Sequence, residues 1–192
     1  MKPRRTMRHI LETNPTRYVI LVSCVVGIAR SMQRAVNSES HFGLVTMLAT
    51  TTLVGSLYGI VSLYLSAWLV GPIARLLGGK ATQVEMRSAM SWGSIIYCWM
   101  LPLSLTMLVL SDTRHSDHGK IGDTLVFLSV VAGILSVWNI IVLSNAVGEA
   151  NQFSSWRGFF AISIAFIVAI LFLFMLFCAI VVALSAVNEM RR

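Results

Sequence analysis

The sequence has few charged residues for its length. Asp, Glu, Lys and Arg make up 12% of its 192 residues, whereas soluble domains carry about 25% because a solvated surface needs them. This scarcity argues against a soluble globular enzyme. A hydrophobic content of 56% argues equally against a disordered chain, which would be polar and highly charged. The composition therefore predicts a protein that lies in a lipid bilayer.

Cysteine is also scarce. Cys24, Cys98 and Cys178 each lie in an apolar stretch, and no two of them form a C-x-x-C pair. An odd number of isolated cysteines does not support a disulfide framework or a zinc site.

The net charge is +7, but no basic helix with interleaved aromatic residues lies outside the apolar segments, so we expect no nucleic-acid partner. The cations instead flank apolar segments, where they meet lipid headgroups.

Five apolar stretches predict an all-α integral membrane protein with five transmembrane helices. The chain divides into a basic N-terminus (1–17), a five-helix membrane domain (18–187) and a polar tail (188–192). The predicted spans are 18–33, 43–70, 88–110, 124–147 and 159–187. Lys and Arg are more frequent on the side of the N-terminus than on the other side. This bias predicts a cytoplasmic N-terminus and, after five crossings, a C-terminus outside.

The first apolar stretch is short, and two interpretations are open. Tyr18–Ala29 has the length of the apolar region of a cleaved signal peptide, with the small residues Gly27–Ala29 as a cleavage site. An arginine directly after such a site would be unusual. We therefore prefer a retained helix whose Arg30 and Arg34 side chains extend to the far interface.

Glycine and proline predict where the helices stop or bend. Gly71–Pro72 should end the second helix, and Gly78–Gly79 should form a sharp turn before Lys80. Pro102 lies inside the third span, where it leaves one carbonyl without its usual donor. We therefore expect a kink in the third helix at Pro102.

Spans two to five contain no Asp, Glu, Lys, Arg or His. Ion-coupled pumps place ionisable groups within the membrane, and voltage sensors place arginines there, so the absence argues against both classes. The sequence also has no H-E-x-x-H or G-x-S-x-G motif, and residues 77–82 fail the spacing of a phosphate-binding loop. We expect no enzymatic activity and no cofactor.

Asn139 is the one strongly polar residue deep in the fourth span. An amide in hydrocarbon needs hydrogen-bond partners, so the simpler interpretation is a contact between helices. The sharper interpretation is a polar pocket formed by Asn139, Tyr97 and the kink at Pro102, which would accept a small neutral or lipidic substrate.

The loop 111–123 contains the residue types that bind metals. His115, Asp117 and His118 are the strongest candidates. They have no fixed ligand spacing, so we expect a solvated polar loop rather than a metal site.

Small residues recur at helical spacing in two spans, which lets helix backbones approach closely. The stripes consist of Thr51, Gly55 and Gly59 in the second span and Ala161, Ala165 and Ala169 in the last. We expect contacts within one bundle, with homodimerisation as the alternative.

Four blocks carry a family resemblance. Gly71–Lys80 precedes an apolar span, Val137–Leu143 and Gly148–Arg157 precede the last span, and Ile10–Pro15 precedes the first. With the spans that follow them, they extend over nearly the whole chain. The sequence resembles the Yip1 family of five-span membrane proteins in its short bacterial form.

The resemblance implies an N-in, C-out five-helix bundle that keeps its first helix, in a bacterial cytoplasmic membrane. Eukaryotic members act in vesicle traffic and associate with prenylated Rab GTPases. This sequence lacks their long cytosolic N-terminal region and their Asp-Leu-Tyr-Gly-Pro motif, so Rab binding is not expected. We expect a non-enzymatic protein that organises lipids, other copies of itself or other membrane proteins. The alternative is a permease or channel component for a small neutral or lipidic substrate.

Overall fold

A computed structural model describes residues 3–36, 43–113 and 120–190, and the regular structure in these ranges is entirely α-helical. The helices in the described residues are α1 (Pro3–Thr13), α2 (Val19–Val36), α3 (Leu44–Leu76), α4 (Gln83–Gly93), α5 (Ile96–Thr113), α6 (Lys120–Ala150) and α7 (Ser155–Met190).

Five helical segments are long and apolar enough to cross a membrane. They are α2, α3, the consecutive pair α4 and α5, α6, and α7. The predicted class, an all-α integral membrane protein with five transmembrane helices, is confirmed. The N-in, C-out orientation stays a prediction.

The bundle is held together by close contacts between small residues. α2 packs against α3 and α5, while α6 packs against α4, α5 and α7. Ala67, Ala89 and Ala161 at these crossings are completely buried. In a bilayer the lipid tails are as apolar as leucine, so close van der Waals packing between such residues holds helices together.

The expected end of the second helix at Gly71–Pro72 is wrong. α3 continues through Pro72 to Leu76. Proline removes one hydrogen bond of the helix ladder, but Val70 and Ala74 on either side of it are buried in the core. This packing keeps the chain helical, as membrane helices often do at proline.

The third span also differs from expectation, because it is two helices rather than one helix kinked at Pro102. α4 ends at Gly93, and the N–H groups of Ser94 and Ile95 donate to carbonyls only three residues back, at 3.1 and 3.2 Å. Such tight turns interrupt an α-helix without leaving its N–H groups unpaired. The interruption lies where a Cβ on Gly93 would meet the side chain of Leu143 on α6. α5 then runs through Pro102 without ending.

The two halves of α7 have different surroundings. Ala161 and Ala165 in its first half are buried, and this half contacts α6 and α3. All residues from 170 to 182 are exposed on every side of the helix. The second half of α7 therefore has no neighbour among the described parts of the chain.

Candidate functional site

The turn between α3 and α4 is set by two glycines. Gly78 has a φ of +89°, a left-handed conformation that glycine adopts without strain. The N–H of Gly79 donates to the carbonyl of Ala74 at 2.9 Å, and the N–H of Gly78 donates to that of Arg75 at 3.0 Å. This pair of bonds is a Schellman motif, which satisfies the last carbonyls of α3. The sharp turn predicted at Gly78–Gly79 is present, and Lys80 after it is exposed.

The turn between α6 and α7 repeats the same motif without a glycine. The N–H of Phe153 donates to the carbonyl of Gly148 at 2.9 Å, and the N–H of Gln152 donates to that of Glu149 at 3.1 Å. Gln152 has a φ of +59°, where a side chain costs about 1–2 kcal/mol that glycine would avoid. Tyr18, before α2, has the same φ, and strain of this kind at non-glycine residues is found more often at functional sites.

Asn151 joins the two turns. Its side chain is 1% exposed, its Nδ2 donates to the carbonyl of Val147 at 2.9 Å, and its Oδ1 accepts from the N–H of Ala81 at 3.4 Å. A Cβ on Gly79 would collide with this Oδ1. The absence of a side chain at Gly79 therefore permits the contact between the turns.

Helix α1 closes over the joined turns. Met7 is buried in the core, and Nη2 of Arg8 lies 2.6 Å from Oε1 of Glu149. The Glu149 side chain is 10% exposed and that of Arg8 is 68% exposed, so the carboxylate is shielded from water while the guanidinium stays largely solvated and the pair is screened by salt. The N-terminal helix is thereby attached to the end of α6.

Helix α4 begins beside the same turns. The Thr82 hydroxyl accepts from the N–H of Glu85 at 3.3 Å, and the Glu85 carboxylate accepts from the N–H of Thr82 at 2.7 Å. This capping box satisfies the first donors of the helix. It also fixes the carboxylate of Glu85, which lines the space between the turns and α1.

These elements enclose a cleft of about 710 Å³, here called the turn cleft. Its volume lies within the range of about 300–1,000 Å³ that is usual for binding sites of small molecules. Three carboxylates and one guanidinium line the cleft, so its lining is acidic although the whole chain carries a net charge of +7. The turn cleft is lined by Arg8, Leu11, Glu12, Glu85, Glu149, Ala150, Gln152, Phe153 and Ser154.

The residues of the family-like turn have distinct roles around this cleft. A Cβ on the buried Gly71 would lie 2.9 Å from Nε2 of Gln83, so Gly71 lets α3 approach α4. Gly78 adopts the left-handed conformation that the turn requires. Gly79 has no side chain and so leaves room for the side chain of Asn151. Pro72 and Lys80 are exposed.

A second cavity, the serine cavity, lies between α2, α3, α4 and α6 and has a volume of about 140 Å³. Serine hydroxyls dominate its polar lining, and most of them bond within the protein. Ser23 and Ser91, for example, both donate to the carbonyl of Val19 at 2.8 Å. The polar residues of its lining are Ser23, Arg30, Ser62, Ser66, Ser91 and Ser94.

The three residues predicted to form a polar pocket differ in their surroundings. Asn139 is 3% exposed, and its Oδ1 has no hydrogen-bond partner among the described residues. Tyr97 is half-buried beneath the guanidinium of Arg30, and Pro102 is exposed. Asn139 and Pro102 do not line the serine cavity.

The glycine stripe of the second span packs on α2 inside the bundle. A Cβ on Gly55 would meet Ser31 and Ile28, and one on Gly59 would meet the backbone of Ser23. Thr51 accepts a hydrogen bond at its carbonyl from the Ser31 hydroxyl at 2.6 Å. This surface is occupied by α2 and is therefore not available to a second copy while the bundle is intact.

The alanine stripe of α7 has a graded environment. Ala161 and Ala165 are buried, whereas Ala169 is half-buried at the point where the helix leaves its neighbours.

The candidate metal ligands His115, Asp117 and His118 lie outside the described residues. Within the described residues, no group of three or more His, Cys, Asp or Glu side chains is placed to hold a metal ion.

The fold and these sites define a five-span helical membrane protein. The family model of the Yip1 domain matches residues 1–177. The chain therefore belongs to the Yip1 domain family, and the resemblance inferred from its motifs is confirmed. No curated protein and no solved structure matches the chain.

Proposed function

We propose that this multi-pass Yip1-family protein is non-enzymatic and organises lipids or partner proteins, and that the turn cleft is its contact surface for a partner protein. The observation that supports this most is the strained Gln152, whose side chain lines the cleft. A glycine would form the same turn at lower cost. We infer that the side chain is kept because it makes a contact.

The charge of the cleft suggests the chemistry of that partner. Glu12, Glu85 and Glu149 outnumber Arg8 at its surface, and complementary charge steers partners and rejects those of like charge. We propose a partner segment that carries Lys or Arg.

Crosslinking tests this proposal in native membranes. A photoreactive residue at position 152 should form a discrete adduct, and Glu12→Lys should reduce its yield several-fold. Asp123→Lys is the matched control, since Asp123 is also exposed but lies near the other end of α6, about 40 Å away at 1.5 Å per residue. Absence of an adduct, or equal losses in both variants, would contradict the proposal.

We also propose that the N-terminus faces the cytoplasm of a bacterial cell, with the protein in the cytoplasmic membrane. The excess of Lys and Arg on the N-terminal side supports this orientation. Reporter fusions after Arg17 and after residue 192 should report opposite sides of the membrane.

A permease or channel component is the second candidate function. The Oδ1 of Asn139, which has no partner in the described ranges, and the hydroxyls of the serine cavity support it, although about 140 Å³ is small for a substrate. The test is thiol labelling of Asn139→Cys in a chain whose three native cysteines have been replaced. Reaction with a water-soluble reagent supports a substrate path, and complete protection opposes one.

A further inference from the structure

The last turns of α2 carry two arginines, and each guanidinium lies on a tyrosine ring of a neighbouring helix. Cζ of Arg30 is 4.3 Å from the centroid of Tyr97 on α5. Cζ of Arg34 is 4.4 Å from the centroid of Tyr58 on α3, and its Nη2 donates to the Tyr58 hydroxyl at 2.8 Å. Stacking occupies the face of a guanidinium and leaves in-plane N–H groups to donate hydrogen bonds.

These arginines lie beside the apolar part of α3. The Ser31 hydroxyl, next to Arg30 in the chain, donates to the carbonyl of Thr51, well inside the uncharged stretch 43–70. Charged side chains at such depth are costly and mark binding sites or ion pathways. Within the described residues, neither Arg30 nor Arg34 forms an ion pair with a carboxylate. The described residues therefore present two stacked cations without a paired carboxylate.

A cavity of about 310 Å³ opens at these side chains and is lined by Arg30, Gln33, Arg34 and Tyr97. Arg30 also lines the serine cavity, whose other polar lining residues are serines. The Gln33 amide can supply another donor. Donors from two arginines and an amide around an open cavity suit a phosphate, which accepts paired hydrogen bonds from a guanidinium.

We propose that Arg30 and Arg34 bind the phosphate of an anionic phospholipid. We take a lipid rather than free phosphate as the source, because Arg30 and Arg34 lie in the last turns of a candidate membrane span, where the phosphates of lipid headgroups are close at hand. This site deepens the lipid part of the proposed function and rests on it. It lies in the second half of α2, away from α1 and the turn cleft, so the two sites are testable separately.

Native mass spectrometry of the full chain in micelles containing phosphatidylglycerol or phosphatidylcholine tests the proposal. The protein should retain phosphatidylglycerol in preference to phosphatidylcholine. Arg30→Gln should lower that retention about tenfold, as expected when charge-assisted hydrogen bonds to a phosphate are lost. The matched control is Arg75→Gln, which removes an exposed cation at the end of α3 and should change retention less than twofold.

Two further variants keep the test decisive if Arg30→Gln fails to fold. Arg30→Lys preserves the charge but loses the planar fork, so it should weaken retention several-fold. Tyr97→Phe keeps the stacked ring and should retain the lipid, whereas Tyr97→Leu should lose it in part.

Equal retention by Arg30→Gln, Arg30→Lys and the unmodified chain would overturn the proposal. Displacement of the lipid by millimolar inorganic phosphate would overturn the lipid source, because it would identify a site for a soluble anion. Crosslinking at position 152 should be unchanged in Arg30→Gln. If that adduct forms while no variant affects lipid retention, the lipid site alone is refuted and the partner surface stands.

Discussion

Replacing Gly27 by alanine should force α2 and α3 apart. A Cβ at this position would lie 2.5 Å from Cα of Gly59 and 2.6 Å from its backbone nitrogen, and would collide with the carbonyl oxygen of Gly55. All three neighbours are backbone atoms, so no side chain can rotate to make room. Because carbon atoms pack best at about 3.5–4.0 Å, relief requires a separation of roughly 1 Å.

The loss of stability in Gly27→Ala follows from the contacts that this separation of α2 and α3 breaks. Overpacking in a rigid core costs about 1–3 kcal/mol. The hydrogen bond from the Ser31 hydroxyl to the carbonyl of Thr51, at 2.6 Å, bridges the same two helices, and its loss adds about 0.6 kcal/mol, the average for such bonds in membranes. We expect Gly27→Ala to lower the free energy of unfolding by about 2–4 kcal/mol.

Reversible unfolding by titration with a denaturing detergent, in mixed micelles, measures this loss. Gly133→Ala on α6 is the matched control, since a Cβ there would meet nothing within 4 Å. This control should be neutral or gain up to about 1 kcal/mol from helix propensity. Equal stabilities of Gly27→Ala and Gly133→Ala would refute the close helix contact.

Two predictions concern the joined turns and use the same titration. Asn151→Ala should lower the free energy of unfolding by about 1–3 kcal/mol, because it leaves the buried N–H of Ala81 without a partner. A loss below about 0.5 kcal/mol, roughly the smallest net value of a hydrogen bond, would argue against this hydrogen bond. Gln152→Gly should raise the free energy of unfolding by about 1 kcal/mol by relieving the left-handed strain. Crosslinking of the partner should fall at the same time, measured from a photoreactive residue at position 154, which also lines the turn cleft. An unchanged stability would mean that contacts of the Gln152 side chain already offset the strain.

Features with a local cause could be predicted from the sequence. The spans follow from apolar length, and the turn at Gly78–Gly79 follows from the conformational freedom of glycine. The stripe of Gly55 and Gly59 shows where a helix can approach closely, but not which helix does so. Only the structure identifies α2 as the partner.

Features with a distant cause could not be predicted. Arg8 and Glu149 are 141 residues apart in the chain, and nothing near either residue indicates the other. Gln152 occupies a left-handed position that glycine usually fills, so no residue pattern marks it. The continuation of α3 through Pro72 depends on burial of the neighbouring Val70 and Ala74, and local rules for proline do not include such packing.

The exposed second half of α7 has a mechanical consequence. Over its 36 residues, a helix extends about 54 Å, whereas the hydrocarbon layer is about 30 Å thick. A helix longer than its bilayer accommodates by tilting, kinking or thickening the lipid around it. Among the described residues, the bundle packs only on the first half of α7, and the helix is continuous, so its excess length cannot be relieved by tilting the exposed half alone. The length of α7 would therefore link the tilt of the bundle to the thickness of the surrounding membrane.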